Sequence, residues 1–173
     1  MLSDSRREWS LLSSPASRSD VARAFRGVLA RFQTLGIEEE EFCELRRQYL
    51  SEDYVSASIR DHNLVRADEY GDLVELLLAH RLCESREILW LSCAIATACL
   101  GDNHLWQDMG LDGREALSRL LRDYFPRLYQ KNVHNMKWKK FFYKELCARA
   151  QVASCKAPSC KVCTDYRVCF GPE

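Results

Sequence analysis

Residues 85–101 read SREILWLSCAIATACLG, and from Ile88 to Leu100 the only polar side chains are the small Ser92 and Thr97. Thirteen residues fall well short of the roughly 18 to 20 that span a bilayer, so no transmembrane helix is expected. The stretch instead predicts a helix from about Ser85 to Leu100, stopped at Gly101, with most of its surface buried. Just before it, Leu73, Val74, Leu76, Leu77 and Leu78 predict a second well-buried helix over Glu69 to Arg81. These two helices form the expected core.

Toward the N-terminus, Val21, Phe25, Val28, Leu29 and Phe32 recur at helical spacing, with Ser19 or Asp20 as the cap and Gly36 as the stop. A further helix from about Glu38 to Tyr49 opens on four glutamates, which suit the positive end of a helix dipole. Toward the C-terminus, DNHLWQDMGLDG at 102–113 reads as a connector with room for one helical turn. Leu117, Leu120, Leu121, Tyr124, Phe125 and Leu128 follow as a helix that Pro126 ends or bends. A sixth helix is expected over Asn135 to Ala150. No strand pattern competes, and the expected fold is all-α: about six helices followed by a C-terminal cysteine-rich loop. The expected divisions are a serine-rich leader over 1–18, a helical domain over 19–150 and a cysteine-bearing segment over 151–173.

A chain of 173 residues with 47% hydrophobic and 29% charged residues has the composition of one globular domain. The first residues, MLSDSRREWSLLSS, contain no apolar stretch of signal-peptide length, and a cytoplasmic protein is expected. The formal net charge of zero hides a split. Residues 131–173 hold nine Lys and Arg against Glu145, Asp165 and Glu173, a net of +6, and every lysine lies at or beyond position 131. On the last helix Trp138, Phe142 and Leu146 point one way. At about 100° per residue, Lys137, Lys140, Lys144 and Cys147 share a different sector roughly 80° wide.

That basic stripe leads toward the main chemical signal. Of nine cysteines, Cys155, Cys160, Cys163 and Cys169 crowd into the end of the chain as CKAPSCKVCTDYRVC. An odd count in a cytosolic chain argues against a disulfide framework. The Cys160–Cys163 pair can turn two thiolates to one centre, and spacers of four and five residues can bring Cys155 and Cys169 around it. Thiolates are soft ligands for zinc, cuprous ions or iron–sulfur clusters, and nearby Lys and Arg favour the thiolate form. Spacing alone leaves both an iron–sulfur cluster and a structural zinc open. Cys93 and Cys99 read as small buried side chains, and Cys43 and Cys83 as core or partly exposed packing residues. Cys147, His104 and His134 are candidate auxiliary contacts to a metal or anion, together with Lys137, Lys140 and Lys144. Trp106, Trp138, Phe141 and Phe142 are read as helix packing, so no nucleic-acid partner is expected. With no glycine-rich phosphate loop, nucleophile elbow or zinc-hydrolase motif, the chain does not read as an enzyme.

The four-cysteine spacing, preceded by NMKWKKFFYKELC at 135–147 and HLWQDMGL at 104–111, resembles the NifQ family of nitrogen-fixation proteins. The resemblance is strong over about residues 101–169 and rests only on helical character before that. It implies a soluble carrier of a cluster of molybdenum, iron and sulfur. It further implies donation of molybdenum to the iron-molybdenum cofactor of nitrogenase, with the cofactor-assembly scaffold and the nitrogenase iron protein as partners. The rival readings from the residues are a zinc-stabilised interaction module and an iron–sulfur electron-transfer protein.

Overall fold

A computed structural model describes residues 16–50 and 68–149. Among them the chain is helical, with eight helices and no strand: α1 (Arg18–Phe32), α2 (Glu39–Tyr49), α3 (Asp68–Ala79), α4 (Arg86–Cys99), α5 (Leu105–Asp108), α6 (Arg114–Tyr124), α7 (Pro126–Lys131) and α8 (Trp138–Arg149). The expected leader up to residue 15 and the cysteine-bearing segment 151–173 lie outside the described residues.

The stretch that decides the fold sits at its centre. On α4 every residue from Trp90 to Cys99 is buried, so the helix has no solvent face over that span. Its small side chains Ser92, Ala94, Ala96 and Ala98 let other backbones come close, and α1, α2, α3 and α5 all pack against it. Ser85 caps α4 by accepting from the Ile88 N–H at 3.2 Å, and the buried Ser92 hydroxyl returns to the Ile88 carbonyl. On α3 the buried residues are Tyr70, Leu73, Leu76 and Leu77, a single helical stripe, while Val74 and Leu78 are half-buried at its margin.

Several boundaries depart from the expected ones for local reasons. The first helix starts at Arg18, with Ser17 rather than Ser19 or Asp20 as its cap. Ser17 and Asp20 form a reciprocal capping box, each side chain accepting the other's backbone N–H at 3.1 Å. It stops at Gln33, which takes the left-handed conformation at φ 62° and donates to the Leu29 carbonyl. Gly36 instead serves the next turn, where the Tyr70 hydroxyl lies against it and donates to the Leu35 carbonyl at 2.8 Å. Pro126 ends α6 and also begins α7, because a missing N–H costs nothing in a first helical turn. That restart and the one-turn α5 raise the helix number above the six expected.

Polar ties fix how the helices meet. The hydroxyls of Tyr49 on α2 and Tyr124 on α6 both donate to the Glu87 carboxylate on α4, and Trp90 donates its indole N–H to Glu41 at 2.7 Å. Cys93 and Cys99 are buried on α4 as expected, whereas Cys43 and Cys83 are exposed. No helix among the described residues is long and apolar enough to cross a membrane.

Candidate functional site

Two of the sequence-predicted groups of site residues can be compared directly, because α8 carries the basic stripe and the preceding loops carry both histidines. Cys155, Cys160, Cys163 and Cys169 lie outside the described residues. Among the described residues no three His, Cys, Asp or Glu side chains gather as a metal-binding group.

The buried arc of α8 is wider than the expected face. Trp138, Phe141, Phe142 and Tyr143 are buried and Leu146 is half-buried, so the arc spans about 200° at 100° per residue. Trp138 anchors it, with ring contacts to Tyr129, Phe141 and Phe142 and an indole N–H donated to Ser118 at 3.2 Å. The expected packing role of Trp138, Phe141 and Phe142 is thereby met. Lys137, Lys140, Lys144 and Cys147 occupy the remaining sector, with Lys144 exposed and the other three half-buried. Lys131 does not add to this stripe, since its ammonium is paired with Glu145 at 2.6 Å.

The two histidines are exposed and sit in separate places. His104 precedes α5, where its backbone N–H donates to Gln107 and its ring stacks on Trp106 at 6.5 Å. His134 lies in the turn between α7 and α8. Asn132 holds that turn through two hydrogen bonds to the Met136 backbone, and Arg114 reaches the carbonyls of Asn135 and Met136 at 3.0 and 2.9 Å. Asn135 takes the left-handed conformation there, which asparagine tolerates better than most side chains.

The most constrained polar group was not among the sequence-predicted residues. Asp108, at the end of α5, is fully buried and accepts from four donors. Arg31 Nε and Asn103 Nδ2 approach one carboxylate oxygen at 2.8 and 2.9 Å, while the Asn103 backbone N–H and Lys139 Nζ approach the other at 3.2 and 2.5 Å. Lys139 also donates to the Gly101 carbonyl at 2.8 Å. A Cβ at Gly101 would stand 2.5 Å from an Asp108 oxygen, so this corner needs a glycine. The cluster joins α1, the α4–α5 turn, α5 and α8. The sequence held one signal for it: Lys139 falls inside the aromatic arc and Asp108 among the apolar Leu105, Met109 and Leu111, places where an unpaired charge would be costly. Cys99 ends α4 beside this pair. Burial, with a smaller push from Asp108 against the pull of Lys139, drives its thiol up to about 12.

Beyond this corner, an open apolar groove of about 560 Å³ runs beside α3, lined in part by Gly36, Tyr70, Val74, Leu78 and Cys93. It includes none of the sequence-predicted site residues.

The NifQ family model matches residues 18–171, which takes in α1, the Asp108 corner, α8 and all four C-terminal cysteines. The chain belongs to the NifQ family. It is 41% identical to the Azotobacter vinelandii protein NifQ over 152 residues, covering 80% of this chain and 78% of that one. It is 39% identical to the Rhodobacter capsulatus protein NifQ over 142 residues, 80% of this chain and 77% of its relative. Identity reaches 48% with the Klebsiella pneumoniae protein NifQ over 77 residues, 44% of this chain and 46% of that one. No solved structure matches. NifQ membership places the chain among nitrogen-fixation proteins and extends the resemblance well into the first hundred residues.

Proposed function

We propose that this NifQ chain is a molybdenum carrier. Cys155, Cys160, Cys163 and Cys169 hold a cargo cluster of molybdenum, iron and sulfur, and the protein delivers the molybdenum for assembly of the nitrogenase iron-molybdenum cofactor. The observation that carries the reading is the four-cysteine spacing inside a family match that runs through all four residues. Soft thiolates suit an iron–sulfur core, and the net +6 of residues 131–173 suits both molybdate and an anionic cluster.

The described residues contribute a platform. α8 turns its aromatic arc inward and keeps Lys137, Lys140 and Lys144 on the sector away from the core, close in sequence to the cysteines. Cations so placed favour thiolate over thiol, draw in molybdate and offer an acidic partner a docking charge. The receiving partners are the cofactor-assembly scaffold and the nitrogenase iron protein, in the cytoplasm, and the carrier's role is transfer and not catalysis. Three of the four cysteines bind iron, and the fourth holds or releases the molybdenum corner. Cys147, His104 and His134 are the auxiliary candidates, and of these Cys147 shares the lysine-bearing sector.

The test is metal content. Oxygen-free protein isolated with iron, sulfide and molybdenum is the expected result, and Ala replacements at Cys155, Cys160, Cys163 and Cys169 should each lower iron, molybdenum or both. Zinc alone would replace the carrier with a folded interaction module, and iron without molybdenum uptake would replace it with an electron-transfer protein. Retention of both metals by all four variants would remove these cysteines from the site.

A further inference from the structure

Hydrophobic attraction has little direction, and the aromatic arc of α8 covers more than half of its circumference. Burial of Trp138, Phe141, Phe142 and Tyr143 sets which side of α8 faces the core, the Trp138–Ser118 and Lys131–Glu145 bonds tie the helix at two further points, and Lys139 adds a tie into the core itself. The two bonds from Lys139 Nζ, 2.5 Å to Asp108 and 2.8 Å to the Gly101 carbonyl, are directional and reach a rigid target. Asp108 cannot follow a shifting lysine, because Arg31 and both nitrogens of Asn103 hold it from other sides. A turn of α8 by one residue, about 100°, would break both bonds and carry Lys140 toward the core in place of Lys139. In a buried ion pair desolvation offsets much of the attraction, so the pair adds little net stability, whereas losing one partner leaves a buried charge behind.

We propose that Asp108 and Lys139 are positioning residues for the metal-carrying segment: their ion pair, together with the Trp138–Ser118 bond, locks the rotation and register of α8. The outward sector of Lys137, Lys140, Lys144 and Cys147 is thereby fixed. So is the point, Arg149, from which six residues of chain lead to Cys155. At about 3.5 Å per residue that tether is no longer than roughly 20 Å, so the place where α8 ends bounds where the first thiolate can stand. The proposal rests on the carrier reading above.

The experiment uses the full chain and three variants. Lys139→Met removes both bonds, and Lys139→Gln, which keeps a donor but shortens the reach, is the gentler second variant read in the same way. Tyr49→Phe removes the bond from α2 to Glu87 on α4, outside the Asp108 corner, and leaves α8 tied. Amide hydrogen exchange in the metal-free proteins reports on α8. The rate at which an external chelator strips protein loaded without oxygen with iron, sulfide and molybdate reports on the cargo. Both Lys139 variants are expected to expose α8 amides to exchange while α4 stays protected, and to lose metal about tenfold faster. Tyr49→Phe is expected to lower the melting temperature without either change. Wild-type protection of α8 in the Lys139 variants, or metal loss at the wild-type rate once α8 is loosened, would overturn the positioning role. So would metal loss from Tyr49→Phe as fast as from Lys139→Met, since general destabilisation would then explain both. A wild-type chain that takes up neither iron nor molybdenum would overturn the carrier reading and the positioning role together, and the wild-type measurement alone shows it.

Discussion

A thiol in a protein interior is governed by what surrounds it, and the described cysteines divide on that ground. Cys43 and Cys83 are exposed, whereas burial drives Cys93 up to about 11 and Cys99 up to about 12. Both buried values lie above the ordinary 9.0, so the folded chain keeps these protons where the unfolded chain releases them. Their stabilising contribution is whole below pH 9 and is lost as pH rises through about 11 for Cys93 and about 12 for Cys99. Alkylation of the native protein near neutral pH should therefore mark Cys43 and Cys83 and spare Cys93 and Cys99. The fall in urea midpoint between pH 9 and 11 should be smaller in a Cys93→Ala, Cys99→Ala double variant. Equal labelling of all four thiols would contradict the burial argument. The seclusion of Cys93 and Cys99 was legible in LSCAIATACL, where their neighbours are apolar or small. The exposure of Cys43 was harder to read, because it sits among glutamates and large apolar residues on a helix with only one buried stripe.

At the scale of helices, one close backbone approach lies where α1 crosses the turn between α5 and α6. A Cβ at Gly27 would stand 2.6 Å from the Met109 carbonyl carbon and 2.7 Å from the Gly110 Cα, and Gly110 itself holds φ at +64°. Both obstacles are backbone, which cannot swing aside as a side chain does. Gly27→Ala is expected to cost about 3 kcal/mol, the upper range for overpacking, and a thermal melt without a clear drop would refute the close crossing. Such crossings explain part of what helical periodicity could not supply. The stripe on α3 and the apolar run of α4 followed from spacing alone. The partnership of Asp108 with Lys139 did not, because 31 residues separate them and a lone charged residue in a sequence ordinarily belongs to the surface. The restart at Pro126 was hidden for a related reason: proline forbids a helix interior but is well suited to a helix start, and Phe125 had to break the backbone first.

Across the whole molecule, the described core runs from Val21 to Tyr143 and draws on every helix named above. A chain that stops at Arg149 is therefore expected to unfold in one cooperative transition, at a melting temperature close to that of the metal-free full chain. Helical circular dichroism through a thermal ramp is the measurement. A broad, non-cooperative loss of signal would show that the cysteine-bearing segment supports the core. The cysteine spacing and the NifQ resemblance were both readable from residues 101–169, and the family match extends that membership to residue 18. The early helices carried less of the resemblance because their sequence mostly records the generic demand for buried faces, which many side chains can meet.

The order in which those parts leave the ribosome gives the early end of the core a further meaning. Fifty-five residues lie between Cys99 at the end of α4 and Cys155, and at about 5 to 20 residues per second their synthesis takes seconds, whereas helical domains of local contacts close in microseconds to milliseconds. Helices α1 to α4 thus have time to pack, and to bury Cys93, before Cys155 is translated, so the Cys93 thiol is withdrawn from crosslinking before the later ones exist.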